Sequence, residues 1–359
     1  MLSGPEPVVA VVVRTRDRPL MLERALADVC AQTFPDWELV VVDDGGDAAV
    51  VDDLVAARPG LAGRVTVLHN AESRGMEAAS NQGIGASASE FVAIHDDDDT
   101  WHPEFLARTV AHLRETGDAG VAVRTEIVWE RVRDGRLEEE SREVFAPEAR
   151  SFSLAQLLRS NRVVPISLLY RRSVHDEVGP FREDLPVVGD WEFNLRLAQS
   201  QCPIGFLDGE VLAFWHQRPE ADGALVNSVF ARARDHRAAD LRVREEALRA
   251  HVRRHGVGGL LYLTGYLRTE IDHLHNLFRE SALRQEELLA GQVQAREAQA
   301  ELGRRTEDLV RRLEERLAGL EAATSDASLV SLLRRRYRRG KARVQAAAGR
   351  RRRPGRPAG

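Results

Sequence analysis

Two cysteines in 359 residues, Cys30 and Cys202, are too few for a disulfide framework and predict a reducing, cytoplasmic setting. No apolar run approaches the roughly 20 residues a membrane span needs; the longest is Val8 to Val13. The chain opens without a charged-then-apolar segment of the signal type, so neither a membrane-spanning nor a secreted class is expected. Lysine is nearly absent: of 51 basic residues only Lys341 is one, a bias we read as compositional rather than functional. Proline is missing between Pro219 and Pro354, which leaves a long stretch with no helix breaker.

What is present describes a soluble globular chain, with 43% hydrophobic and 30% charged residues. The net charge of −5 hides a segregated distribution. Residues 1–216 hold 37 acidic and 21 basic side chains, residues 217–333 are near neutral, and residues 334–359 hold 12 basic side chains and no carboxylate.

The acidic part alternates strand and helix signals. Val8 to Val13 and Leu39 to Val42 are continuous β-branched and apolar runs of the kind a strand buried on both faces shows. Between them Leu22, Ala25, Leu26, Val29 and Cys30 recur at helical spacing, with Pro19 and Pro35 outside. Val65 to Leu68 and Phe91 to Ile94 read as further strands, separated by a helical stretch from Glu77 to Ser87, and Asp134-Gly135 reads as a hairpin turn. This order predicts an α/β fold with a mostly parallel sheet flanked by helices, its ligands beyond the carboxyl ends of the strands.

Those ends are polar. The first strand runs into Arg14-Thr15-Arg16-Asp17-Arg18, the second into Asp43-Asp44-Gly45-Gly46, and the fourth into His95-Asp96-Asp97-Asp98-Asp99-Thr100-Trp101. Four successive carboxylates repel one another unless a cation sits among them, and Mg²⁺ is held by one or two carboxylates plus phosphate oxygens. In an extended segment Asp96 and Asp98 share one side and Asp97 and Asp99 the other. The alternative is that Asp99 or Thr100 caps a helix beginning at Pro103 and Glu104, with the other carboxylates solvated.

In order and spacing these segments resemble a family 2 glycosyltransferase of the GT-A fold over roughly residues 8–217. The carriers are Val11 to Gly46 with Ala31-Gln32-Thr33-Phe34-Pro35 and Val-Val-Asp-Asp-Gly, then Asn81 through Pro103 with its Asp-x-Asp motif. Gly179-Pro180-Phe181 followed by Gly189-Asp190-Trp191-Glu192 completes the pattern. The resemblance implies an inverting, metal-dependent enzyme moving a sugar from a nucleotide-diphosphate donor to an acceptor hydroxyl, in cell-surface glycan or polysaccharide synthesis. It places Arg14, Thr15, Arg16, Asp44, Arg74, Asp96 and Asp97 at the donor, and Asp98, Asp99 and His216 at a Mg²⁺ or Mn²⁺ ion. It makes Asp190 the catalytic base, with Trp191 and Glu192 toward the acceptor. Read for themselves, Asp190 also suits a helix cap, Trp191 a core position, and His216 an ordinary core or surface site. The sequence departs from the family pattern at three places: Ser80 where an Arg is usual, with Arg74 near enough to replace it; Gly189 where a Glu is common beside the base; and His95 where a Leu is usual. The contrasting reading is a catalytically idle nucleotide-sugar-binding or scaffold protein.

The organisation expected is a catalytic domain over 1–217, a helical segment over 218–280 packed on it through Leu260 to Phe278, a long helix over 281–333, and a basic, disordered tail over 334–359. Leu288, Ala295, Leu302 and Leu309 fall seven apart, joined by Leu313 and Leu320, while Gln285, Gln292, Gln299 and Thr306 interrupt the second seam. Either a coiled-coil homodimer or a long solvated helix fits. The tail suits peripheral contact with an anionic membrane at the inner face. Only Tyr337 interleaves its arginines, which argues against specific nucleic-acid binding.

Overall fold

The computed structural model describes residues 7–133, 136–221, 223–323 and 327–350. The Asp134-Gly135 turn and residues 351–359 of the basic tail lie outside the described residues. The chain divides into two compact units, one ending at His255 and one beginning at Gly256.

The first unit is built on a seven-stranded sheet. β1 (Val9–Thr15) pairs in parallel with β2 (Trp37–Asp44), and β2 with β3 (Val65–Asn70). On its other side β1 pairs in parallel with β4 (Phe91–Asp96). β5 (Thr100–Trp101) belongs to a second sheet, while β6 (Gly120–Val123), β9 (Leu168–Arg171) and β10 (Ile204–Leu207) complete the first, in the order β10-β6-β9-β4-β1-β2-β3. Only β9 runs antiparallel to its neighbours. The second sheet has the order β5-β11-β7-β8, with β7 (Thr125–Arg133), β8 (Arg136–Val144) and β11 (Ala213–Gln217).

β1 lies inside the sheet between β4 and β2; Val9 to Val13 are fully buried, and alternation sends their side chains to two cores. Val9, Val11 and Val13 join Leu22, Ala25, Leu26 and Val29 of α1 (Pro19–Cys30) on one face. On the same face lie Phe105, Leu106, Val110 and Leu113 of α4 (Phe105–Thr116), while α2 (Ala48–Ala56) contributes Val51. Val12 joins Ala79 and Ile84 of α3 (Met76–Gly85) on the other, with Phe193 and Leu197 of α7 (Gly189–Gln199). The short helices α5 (Leu154–Leu157) and α6 (Val174–Val178) lie between β8 and α7 in the chain. Burying a valine on both sides of such a sheet contributes about 2 kcal/mol per side chain.

Three expectations are corrected. Cys30, placed on the buried stripe of α1 by its spacing, is exposed at the helix end. Thr100 does not cap a helix: with Trp101 it pairs antiparallel to β11, and α4 starts only at Phe105. Asp96 to Asp99 is not an extended run either, because the Asp99 N–H bonds the Asp96 carbonyl at 3.2 Å and closes a turn.

Past β11 the first unit continues through α8 (Ser228–Ala231) and α9 (Ala233–His255). α9 is fixed by the buried Ala239 and Val243 and by Arg244, whose guanidinium donates to the Leu158 and Arg159 carbonyls. The second unit is α10 (Gly258–Ala323), a single helix of 66 residues, and α11 (Ala327–Arg350), with Tyr337 and Lys341 both bonded to Glu314. Residues 334–350 are thus helical rather than a disordered tail. Within this unit the 261–278 stretch carries exposed apolar side chains, Tyr262 at 80% and Phe278 at 73%. No helix among the described residues is long and apolar enough to cross a membrane.

Candidate active site

The chain leaves β1 for β2 and β3 on one side and then crosses to β4 on the other, so the sheet's direction switches between the carboxyl ends of β1 and β4. Crevices at such points bind ligands in open α/β sheets. Arg14 stands opposite Asp96 in the β1–β4 register. A cleft of about 530 Å³ opens there, lined by Arg14 to Arg18, Asp44, Asp96 to Asp99, Gln217 and residues of the 223–232 segment.

The aspartates of the run have different sets of partners, with Arg18 shared by Asp97 and Asp98. Asp96 accepts from the Arg14 guanidinium. Asp97, buried, accepts from Thr15 Oγ1 at 2.8 Å and from Arg18 at 3.0 Å. Asp98 Oδ2 accepts from Arg18, Arg218 and Asn227. Asp99 accepts the His216 backbone N–H at 2.9 Å. Burial raises the Asp97 carboxyl, opposed by Arg18. Burial and the charges of Asp98 and Asp96 raise Asp99 well above the usual carboxylate range, and the donor it accepts from is an uncharged N–H. A divalent cation fits this set, since it would relieve Asp99 and Asp98 together. Among the described residues no three His, Cys, Asp or Glu form a ready cage; an ion that keeps waters and shares phosphate oxygens needs none.

Asp44 closes the floor of the cleft. Its carboxylate takes four hydrogen bonds, from Asn70, Ser73 and the Arg74 and Gly75 backbone N–H groups. Against burial, these bonds hold it below the usual carboxylate range. Arg74 takes part through its backbone: its half-exposed side chain lies 3.7 Å from Glu183. The cation beside Ser80 is instead Arg14, with Nη1 3.1 Å from Ser80 Oγ. Arg16 lines the cleft with an exposed side chain.

Asp190 does not line this cleft; it lines a small cavity beside Arg14, close enough to Asp96 for the two charges to interact. Burial pushes its carboxyl up to about 6, opposed by the Trp191 N–H and by Arg14. Asn161 Nδ2 donates to Oδ2 at 2.6 Å. The preceding Val188 is left-handed, at φ 60°, a conformation that costs a β-branched residue about 1–3 kcal/mol and persists only where the surroundings impose it. Burial raises Glu77, beside Gly189 and Arg14, to about 7.

His216 has both ring nitrogens engaged, Nε2 with Thr100 Oγ1 at 2.8 Å and Nδ1 with Glu130 at 2.8 Å. Burial lowers its pKa. Glu130, held down to about 2 against burial by His216 and Arg24, also receives the fully buried Arg218. His216 thus holds the aspartate turn through its backbone N–H to Asp99, while its imidazole is engaged by Thr100 and Glu130. Trp191 is turned into the core: its indole N–H bonds the Leu157 carbonyl at 2.7 Å and Arg244 lies over its ring. Glu192 is buried and pairs with Arg196. Neither lines the cleft.

Sequence reasoning passed over Arg18, Glu77, Glu130, Asn161, Arg218 and Asn227 as site residues. Arg18 carried a signal, standing two residues past the Arg-Thr-Arg group. The others reach the site across 29 to 129 residues, where no local spacing marks them.

The mixed α/β sheet flanked by helices, with a cleft at its switch point lined by strand-end carboxylates, agrees with the glycosyltransferase GT-A fold that the sequence resembles. Residues 10–179, just under half of the chain, match the profile described as Glycosyl transferase family 2. An uncharacterized glycosyltransferase of Bacillus subtilis is 28% identical over 253 residues, 70% of this chain and 85% of that protein. A PGL/p-HBAD biosynthesis glycosyltransferase of Mycobacterium bovis is 25% identical over 62% of this chain and 82% of its own length. Among solved structures, S. aureus TarS 1-349 in complex with UDP is similar at TM-score 0.46 and 21% identity, covering 59% of this chain and 61% of that one. The mannosyltransferase of Pyrobaculum calidifontis in complex with GDP-Man and Mn²⁺ has a TM-score of 0.46 at 19% identity, covering 73% and 80%.

Proposed function

We propose that this glycosyltransferase binds a nucleotide-diphosphate sugar in the β1–β4 cleft together with Mg²⁺ or Mn²⁺, and transfers the sugar with inversion to an acceptor hydroxyl. The observation that carries the reading is the opposition of two carboxyl groups across Arg14: Asp96 at the end of β4, and Asp190, raised to about 6, at the start of α7. Asp98 and Asp99, with Asp96 beside them, would hold the cation; when bound it supplies Lewis-acid stabilisation of the leaving diphosphate. Arg14 and Arg18 add fixed positive charge at the cleft wall. Thr15, Arg16 and Asp97 border the donor, and Asp44 shapes its floor through the 70–75 loop. Asp190, oriented by Asn161, takes the proton from the acceptor hydroxyl as that oxygen attacks the anomeric carbon, a general-base step worth about 10²–10⁴ in rate.

Calorimetric titration with UDP-, GDP- and dTDP-sugars tests the donor site. Binding to one of them is expected with Mn²⁺, and is expected to weaken at least about tenfold with chelator or in Asp98→Ala. Equal affinity in all three conditions would remove the metal site.

The same proposal includes two attributes of the second unit. The seven-residue recurrence of Leu288, Ala295, Leu302 and Leu309 along one exposed helix supports pairing with a second copy, and the basic α11 supports contact with anionic lipid. Sedimentation equilibrium and co-sedimentation with phosphatidylserine vesicles read these out; a monomer that stays in the supernatant counts against both.

A further inference from the structure

Glu77 is a carboxyl group with no part in the reading above, yet it lies against the start of the Asp190 helix. It stands in the first turn of α3, is 4% exposed, and accepts from Arg14 Nη1 at 3.3 Å and from the Gly189 backbone N–H. Gly189 is not among the left-handed glycines, so backbone conformation does not call for glycine there. Space does. A Cβ on Gly189 would lie 2.5 Å from the Glu77 carboxyl carbon and closer still to Oε1. Glu77 therefore occupies the volume into which a side chain at position 189 would project, and the missing neighbour of Asp190 is supplied from another helix.

The charges around this point come from every element packed on it. Arg14 of β1 sits amid Asp96 of β4, Glu77 of α3 and Asp190 of α7. Tyr170 of β9 closes the group, its hydroxyl against His175. A water-sized cavity of about 20 Å³ is lined by Glu77, Asp190, Arg14, Ser80 and Asn194 among apolar neighbours. One guanidinium thus faces three carboxyl groups. Its Nε and Nη2 go to Asp96, and its Nη1 to Glu77, the Met76 carbonyl and Ser80. A guanidinium released from Glu77 is free to pair with Asp190, and an opposite charge at that range suppresses a carboxylate's basicity.

We infer that Glu77 is a positioning residue for the Asp190 base: it anchors Arg14 on the Asp96 side and fills the place beside Asp190 that Gly189 leaves open. This rests on the glycosyl-transfer reading, and the test separates the two. Full-length wild type, Gly189→Ala, Glu77→Ala and the double variant carrying both substitutions are melted. With Glu77 present, Gly189→Ala is expected to lower Tm by roughly 5 °C through overpacking; in the Glu77→Ala background the drop is expected to vanish. Additive shifts would overturn the placement. With whichever UDP-, GDP- or dTDP-sugar wild type hydrolyses in Mn²⁺, Glu77→Ala and the isosteric Glu77→Gln are expected to lower kcat about 10- to 100-fold, with KM within about twofold. Glu77→Ala combined with Gly189→Glu returns a carboxylate from the opposite side and is expected to recover at least about tenfold. Wild-type kcat in Glu77→Gln, or a folded swap variant no faster than Glu77→Ala, overturns the inference. If wild type hydrolyses no donor, the glycosyl-transfer reading falls, and the melting cycle still decides where Glu77 sits.

Discussion

Arg14 illustrates how a strand-end residue is given its chemistry by residues far along the chain. Its charge is expected to matter through the carboxyl groups it faces, and those groups titrate in an accessible range. Asp190 must be ionised to accept a proton, so with its pKa raised to about 6, kcat/KM is expected to fall as pH drops through about 6. A pH–rate profile with its acid limb near 4 would show that burial does not act on the base. Glu77 gives a separate reading in stability. Its pKa rises from an ordinary 4.5 to about 7 in the folded state, so the native protein binds that proton more tightly than the unfolded chain. Stability from this group is present at low pH and lost as pH rises from about 4.5 through about 7. Melting curves of Glu77→Gln against wild type are therefore expected to shift in the variant's favour between pH 5 and pH 8; a constant difference would contradict the raised value. At the back of the site, Arg218→Met leaves Asp98 and Glu130 short of their shared cation inside the protein. It is expected to cost about 3–5 kcal/mol by chemical denaturation.

Secondary-structure elements differ in how far the sequence announced them. β1, β2 and α1 were legible because strands buried on two faces and a stripe facing a core leave simple periodicities. The position of the carboxylates after β4 was legible for the same reason, since a polar run directly after a buried strand lies at the sheet's edge. β5 was not, because two residues carry no period and Thr100-Trp101 is a strand only by pairing with Phe214 and Ala213. That pairing bends Asp96 to Asp99 into a turn and sends neighbouring side chains to different partners, which the extended reading had placed by alternation. Trp191 was misplaced by the same limitation: its neighbour on the ring, Arg244, comes from α9. At this scale the two faces of β1 give a test. Val12→Ala and Val13→Ala open cavities in separate cores, and each is expected to cost about 2 kcal/mol, additively, in denaturant unfolding.

At the scale of the molecule, arginines of β1, α1, the turn between them and the segment after β11 meet Asp96, Asp97, Asp98 and Glu130, while Asp44 and Asp99 take only uncharged donors. The boundary of the acidic body lies later than composition suggested. Position 217 ends β11, but Asn227 reaches back to Asp98, Arg232 to the Pro186 carbonyl and Arg182 to Glu246, so residues 218–255 belong to the catalytic unit. Truncation after His255 is expected to leave the thermal transition of the catalytic unit within about 2 °C, whereas truncation after Gln217 is expected to abolish cooperative melting. The charge blocks divided the sequence into three parts, with borders after 216 and 333, and neither falls at His255; the contacts that tie 218–255 to the first unit are long-range and left no local trace.

The central claim is that the β1–β4 cleft performs metal-assisted sugar transfer with Asp190 as base. Release of nucleoside diphosphate from UDP-, GDP- and dTDP-sugars, followed in parallel for wild type and Asp190→Asn with Mn²⁺ and with chelator, tests it most directly. Wild type is expected to cleave at least one donor with Mn²⁺ only, and Asp190→Asn to bind that donor normally while releasing product about 10²–10⁴-fold more slowly. Release at the wild-type rate by Asp190→Asn, or undiminished in chelator, would contradict the account.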